Sequence, residues 1–277
     1  MQVAATLVLL GLLGGCAHMG PLSPLAPLER KMVFHPVPFP EGNWEPDGLA
    51  HEDAWFEAED GTSLHGWFVP HPDQIGVALF MHGNAGNISS RAQTLHVLNG
   101  RHRLSVLAFD YRGYGRSEGK PSEHGILQDA RAARAWLARR TGVPEQDIIL
   151  MGRSLGGAVA VDLAARDGAR GLALASTFTS LPDVGAHHFR WLPSSALMSL
   201  RLNSLSKIRY YNGPLLQSHG DADRVIPYDL GQRLYEAAPG PKHFVTIPGG
   251  GHNDPQPETY RIALDDFLAS LPPLTSG

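Results

Sequence analysis

Ile148-Ile149-Leu150-Met151-Gly152-Arg153-Ser154-Leu155-Gly156-Gly157 decides how the chain is read. Its first four residues are a short apolar run with branched side chains, the pattern of a buried strand. From 155 to 166, Ala, Val and Leu recur at helical spacing. Ser154 therefore stands on a strand-to-helix turn inside Gly-x-Ser-x-Gly, where Gly152 and Gly156 leave room for a sharp bend. On such a turn the hydroxyl points away from the sheet. The N–H of Leu155 opens the helix and is aimed where an oxyanion would form. Ser154 is thus a candidate nucleophile and Leu155 a candidate oxyanion donor. The pentapeptide alone is a weak signal in a chain with 31 glycines; the strand before it and the helix after it give it weight.

Outward from that turn, strand and helix patterns alternate. Residues 54–58 and 64–69 read as a hairpin around Glu59-Asp60-Gly61. Residues 77–81, 105–109, 148–151, 172–175, 215–218 and 244–247 read as further strands. Helical patterns cover 89–99 and 123–140, the second capped by Ser122 with Ile126, Leu127, Ala130, Ala133, Trp136 and Leu137 on one face. This order predicts an α/β fold: a mostly parallel central sheet of about eight strands, helices on both faces, and a short lid near 178–211. Reactive groups in such sheets lie beyond the carboxyl ends of the strands.

The 277 residues suit one main domain, and 43% hydrophobic against 18% charged residues can fill a core without extended disorder. The net charge of −4, spread without long runs, gives no nucleic-acid footprint. The first twenty residues are different. Residues 3–13 are apolar but too short to span a bilayer, and they lead into Leu13-Gly14-Gly15-Cys16, which holds the sole cysteine. This resembles a bacterial lipoprotein signal, although Met1-Gln2 carries no Lys or Arg. The resemblance implies that residues 1–15 are removed and Cys16 is lipidated. The protein is then lipid-anchored in the bacterial cell envelope, attached to the membrane and not spanning it. The bland alternative is an apolar N-terminal helix with an incidental buried cysteine. A single cysteine permits no intramolecular disulfide. Pro21, Pro24, Pro27, Pro36, Pro38 and Pro40 make 16–50 read as a lipidated N-terminus and semi-extended tether, leaving 51–277 as the globular domain.

A serine hydroxyl needs an imidazole to take its proton and a carboxylate to orient that imidazole. His252, in Gly249-Gly250-Gly251-His252-Asn253-Asp254, follows the last strand on a flexible loop and is the best base. Most of the other histidines carry no motif and read as surface or structural; His187 and His188 are adjacent and read as exposed unless they line a lid. The carboxylate is Asp221 or Asp223 in His219-Gly220-Asp221-Ala222-Asp223-Arg224-Val225-Ile226-Pro227, and the residues alone leave that choice open.

The chain order Ser, Asp, His, together with these segments, resembles serine hydrolases of the α/β-hydrolase superfamily, most closely a small-lidded branch. The resemblance covers about 55–271. It implies that Asp223 is the acid and Asp221 a turn residue. It also matches Phe80-Met81-His82-Gly83-Asn84-Ala85-Gly86-Asn87 to the loop whose backbone gives the second oxyanion donor, here Asn84. Asp110-Tyr111-Arg112-Gly113-Tyr114-Gly115-Arg116-Ser117-Glu118-Gly119 matches a loop read as structural, with Asp110 a buried hydrogen-bonding group. The implied activity is cleavage of carboxylic esters or thioesters through Ser154, His252 and Asp223. An aminopeptidase-like amide hydrolase or a perhydrolase would use the same residues, and a catalytically silent surface lipoprotein is the non-enzymatic alternative. No metal and no organic cofactor is expected, since there is no His-Glu-x-x-His, no cysteine pair and no phosphate loop with a lysine. The expected partners are a small-molecule or lipid acyl substrate and the membrane through the anchor, with no nucleic acid and a monomeric chain. In the lid, Phe189, Trp191, Leu192, Leu197, Met198, Leu200 and Leu202 either border an acyl pocket or cover the sheet edge.

Overall fold

Alternating apolar strands and amphipathic helices give the chain its layers. The structure, a computed structural model, describes residues 26–189, 191 and 194–274. The chain opens with α1 (Ala26–Val33), β1 (His35–Pro36), β2 (Glu52–Glu57), β3 (Ser63–Val69), β4 (Gly76–Met81) and β5 (Ala85–Gly86). It continues through a 3-10 turn at Ile88–Arg91 to α2 (Ala92–Gly100), β6 (Leu104–Phe109), α3 (Glu123–Thr141), β7 (Ile149–Arg153) and α4 (Leu155–Asp167). After β8 (Gly171–Ala175) come three short helices, α5 (Leu181–His188), α6 (Ser194–Leu197) and α7 (Ser204–Ile208). The last elements are β9 (Leu215–Gly220), α8 (Tyr228–Ala237), β10 (Lys242–Ile247) and α9 (Glu258–Ser270).

Eight strands form one sheet in the order β10-β9-β8-β7-β4-β6-β3-β2. Every neighbouring pair is parallel except those of β3, which runs antiparallel to both β2 and β6. The expected α/β architecture, with helices on both faces, is therefore the observed one. Strand period two divides the buried side chains into two cores. Leu79, Leu107, Leu150 and Leu172 face α3, α4 and α8 on one side, whereas Phe80, Val106, Met151 and Ala173 face α2 and α9 on the other. Both faces of the central strands are covered, which is why these strands read as continuous apolar runs rather than alternating ones.

The segment read as a tether departs from that reading over its described part. Instead of leading away from the domain, residues 26–50 lie on it. Pro27 sits in the first turn of α1, where a missing N–H costs nothing, so a helix forms despite the proline content. Phe34 is buried in the core with α3 and α4, β1 pairs with β5, and Pro38 bridges to Gly115. Trp44 packs edge-on against the fully buried Trp67, ring centroids 5.7 Å apart. The sequence carries these contacts only as scattered aromatics among prolines, without a period to read. The leader, with Cys16, lies outside the described residues.

Candidate active site

The turn between β7 and α4 places Ser154 at φ 53°, ψ −119°. This is a conformation that L residues rarely adopt, and it costs on the order of 1–3 kcal/mol. The surrounding packing holds it. The Ser154 N–H donates to the Ala175 carbonyl (2.9 Å), and the Thr177 hydroxyl donates to the Ser154 carbonyl (2.9 Å). A Cβ at Gly152 would collide with the backbone of Gly156, and one at Gly156 with the Met81 carbonyl, so the bend closes only with glycine at both positions.

The structure brings Ser154, His252 and Asp223 together. His252 Nδ1 lies 2.7 Å from Asp223 Oδ2, and His252 Nε2 lies 3.1 Å from Ser154 Oγ. An ionised carboxylate only accepts, so Nδ1 carries the proton and Nε2 is left to accept from the serine hydroxyl. Asp223 Oδ1 meanwhile accepts the N–H groups of Val225 and Ile226, each at 2.8 Å. Burial pushes the Asp223 carboxyl up, but hydrogen bonds from His219, His252 and the Ile226 N–H outweigh it and hold the group well below the usual carboxylate range. Asp221 is elsewhere: exposed, it accepts the Gly249 N–H at 2.7 Å and so fastens the β9 turn to the loop that carries His252. The choice left open by the residues is decided by geometry in favour of Asp223 as the partner of His252.

Asn84 and Leu155 line the same cavity as Ser154. Leu155 is the first residue of α4, where a helical N–H has no intrahelical partner. The Asn84 side-chain amide is occupied, donating to the Val33 carbonyl at 2.8 Å, and its own carbonyl accepts from the Tyr114 hydroxyl at 2.8 Å. The loop after β6 holds this arrangement from below. Tyr111 donates to the His82 carbonyl (3.0 Å), and buried Asp110 accepts the Ile88 N–H (2.9 Å), which agrees with a structural reading of that loop.

The cavity that opens on Ser154 measures about 500 Å³. Phe178, Leu181, Val184, Phe189, Trp191, Leu197 and Met198 of the lid line it, joined by Leu28, Met32 and Val33 of α1. Leu200, Leu202 and Ile208 instead fill the core. The apolar residues of the lid thus divide between the cavity wall and the core, with Val184 and Met198 among those touching both; Leu192 lies outside the described residues. His188 is exposed, bonds the Val225 carbonyl at 2.8 Å and borders the cavity. Two carboxylates tie the lid down. Glu29 of α1 accepts from the Ser199 N–H (2.9 Å), the Ser199 hydroxyl (2.7 Å) and the Leu200 N–H (3.1 Å), and Glu123 accepts from the N–H groups of Arg201 (2.6 Å) and Leu202 (3.0 Å).

Three contributions were not read from sequence. His219 is fully buried, its Nε2 2.9 Å from the Ile226 carbonyl and 3.3 Å from Asp223 Oδ2; it stands four residues before Asp223, a spacing that points to it in hindsight. Arg153, adjacent to Ser154, donates to the carbonyls of His252 and Asp254 and so holds the histidine loop. The α1 wall had no local signal at all.

Residues 72–212 match the family described as serine aminopeptidase, S33. An uncharacterised protein of Mycobacterium tuberculosis is 41% identical over 239 residues, covering 86% of this chain and 85% of that protein. The α/β-hydrolase domain-containing protein WAV2 of Arabidopsis thaliana is 35% identical over 226 residues, 74% of this chain and 73% of that protein. In fold, the chain is similar to an esterase of Pyrococcus furiosus at a TM-score of 0.70 and 22% identity, covering 86% of this chain and 97% of that one. A family match over more than half of the chain and relatives of this identity and coverage meet on one conclusion: the chain belongs to the serine aminopeptidase S33 family and is a hydrolase of the α/β type.

Proposed function

We propose that the protein is a serine esterase acting on esters or thioesters of apolar acyl groups, with Ser154 as nucleophile, His252 as base and Asp223 as its orienting acid. The observation that carries this reading is the hydrogen-bonded relay Asp223–His252–Ser154 opening directly onto an apolar cavity. As Ser154 Oγ attacks the acyl carbonyl, its proton passes to His252 Nε2 and the carbonyl π pair moves onto oxygen, held by the N–H groups of Leu155 and Asn84. Collapse expels the alcohol or thiol, which takes the proton from His252 and leaves the acyl group on Ser154. Water then repeats the sequence and releases the acid. Asp223 stays ionised throughout, fixing the tautomer and stabilising the imidazolium.

The family's description includes peptidases, and the cavity speaks for the ester over an aminopeptidase substrate. A free α-ammonium group needs a carboxylate to receive it, and Glu29 is the one acidic side chain among the described residues lining the cavity. Glu29 is already taken up by Ser199 and Leu200. The lipoprotein-like leader supports placing this chemistry at a bacterial membrane, with Cys16 as the lipid attachment point.

The test is a series of p-nitrophenyl esters of increasing chain length, run beside an aminoacyl p-nitroanilide, on wild type and Ser154→Ala. The expected pattern is a higher kcat/KM for medium-chain esters than for acetate, little anilide cleavage, and a loss of at least about 10⁴-fold in Ser154→Ala. Faster anilide than ester cleavage would overturn the substrate class, and turnover surviving in Ser154→Ala would remove the nucleophile.

A further inference from the structure

Large apolar side chains left in water are scattered on most folded surfaces, and it is their clustering that carries information. Of the eleven exposed large hydrophobic residues among those described, five ring one opening: Leu28, Met32, Phe189, Trp191 and Val225 all line the Ser154 cavity. Leu28 and Met32 are one turn apart on α1 and 58% and 57% exposed, while Trp191 is 82% exposed. Exposed Lys31 is the chain neighbour of Met32 and exposed Arg224 that of Val225, so two of the ring's residues adjoin a cation in sequence.

We propose that this rim seats on a lipid surface, with the aromatic and aliphatic side chains dipping among the acyl chains and Lys31 and Arg224 meeting anionic headgroups, so that substrate enters the cavity from the lipid phase. The inference rests on the proposed acyl-ester reading for the substrate's route, but the docking stands on the rim itself. Two arguments select a lipid over a protein. The rim is the mouth of the Ser154 cavity, and a second copy or a globular partner seated there would close it, whereas a bilayer leaves it facing apolar substrate. The chain preceding α1 also points to the same surface. It carries Cys16, and the ten residue steps from Cys16 to Ala26 span at most about 35 Å, so a lipidated Cys16 keeps α1 beside the bilayer.

The decisive measurement uses the full chain carrying Ser154→Ala, so that its outcome does not depend on catalysis. The protein is mixed with vesicles of phosphatidylglycerol and phosphatidylcholine brominated along the acyl chains, and tryptophan emission is compared with that of the same chain carrying Trp191→Phe in addition. Quenching confined to the protein that retains Trp191 is the expected result. Leu28→Ser with Met32→Ser should raise the lipid concentration needed for half-maximal quenching by about tenfold. A chain that sediments with the vesicles while Trp191 stays unquenched would overturn the proposal, because anchoring alone would then hold it with the rim in water. So would a failure to sediment at all. A dimer in light scattering that Leu28→Ser with Met32→Ser dissolves would give the rim to a second copy instead. Failure of the esterase reading would leave all of these outcomes unchanged.

Discussion

Ser154, Asp223 and His252 stand at or just beyond the ends of β7, β9 and β10, whereas the walls of the cavity they open on come from α1, α5 and α6. The first region inherits its precision from a sheet whose strands are covered on both faces. Each of these three side chains is over-determined: four N–H groups reach the Asp223 carboxylate, two backbone carbonyls receive Arg153 behind His252, and the strained Ser154 is clamped from β8 and the chain that follows it. The second region is made of helices of four to eight residues, too short to persist alone, and is held through Glu29 and Glu123. A fold of this kind can keep one chemistry fixed while the cavity walls change, since few bonds link the two.

The sharpest way to break that contrast is to compare the two aspartates of one turn. Asp223→Asn removes the charge that fixes the His252 tautomer, and kcat should fall by about 10³–10⁴-fold with KM little changed. Asp221→Asn, two residues away, exchanges one exposed acceptor for another and should stay within about threefold of wild type. Steady-state kinetics on a single p-nitrophenyl ester measures both. Equal losses in the two variants would mean that the turn acts as one structural unit and that the assignment of Asp223 is wrong.

The same division explains what could be read from sequence. All eight strands of the sheet are announced by apolar runs of period or length proper to strands, because local burial on a sheet leaves a local pattern. The readings of Ser154, Leu155 and His252 rest on their places after such runs, whereas those of Asn84 and of Asp223 over Asp221 came only with the family resemblance. His219 and Arg153 are adjacent to these motifs, but their roles depend on where a side chain ends after folding, which spacing does not state. The α1 wall was the least legible. Leu28, Met32 and Glu29 meet the lid across about 170 positions of sequence, and no periodicity within a proline-rich stretch reports a contact of that range.

Loosening the lid without touching the triad should separate the two regions from the other direction. In Glu29→Gln the carboxylate that accepts two N–H groups and a hydroxyl becomes a neutral amide, with a loss on the order of 1.5–3 kcal/mol of local hold. For long-chain esters KM should rise by about tenfold at nearly constant kcat, while acetate esters, which need little of the cavity wall, should change by less than about twofold. A uniform fall in kcat across the series would show that the lid reaches the chemistry after all.

The smallest expected effect lies in the acid stability of the triad itself. The Asp223 carboxyl is held below its unfolded value of about 3.9, so its contribution to stability is present above that pH and is lost as pH falls through the lower, folded value. His219→Phe removes one of the two imidazole N–H donors that approach Asp223 Oδ2 and leaves Val225, Ile226 and His252 in place. The folded carboxyl should then titrate closer to its unfolded value, and the stability linked to it should shrink. Thermal melts from pH 7 down to about pH 2 read this as a smaller acid-induced drop in Tm for the variant, relative to its own value at pH 7, than for wild type. A larger drop would place the acid sensitivity in a carboxylate other than Asp223.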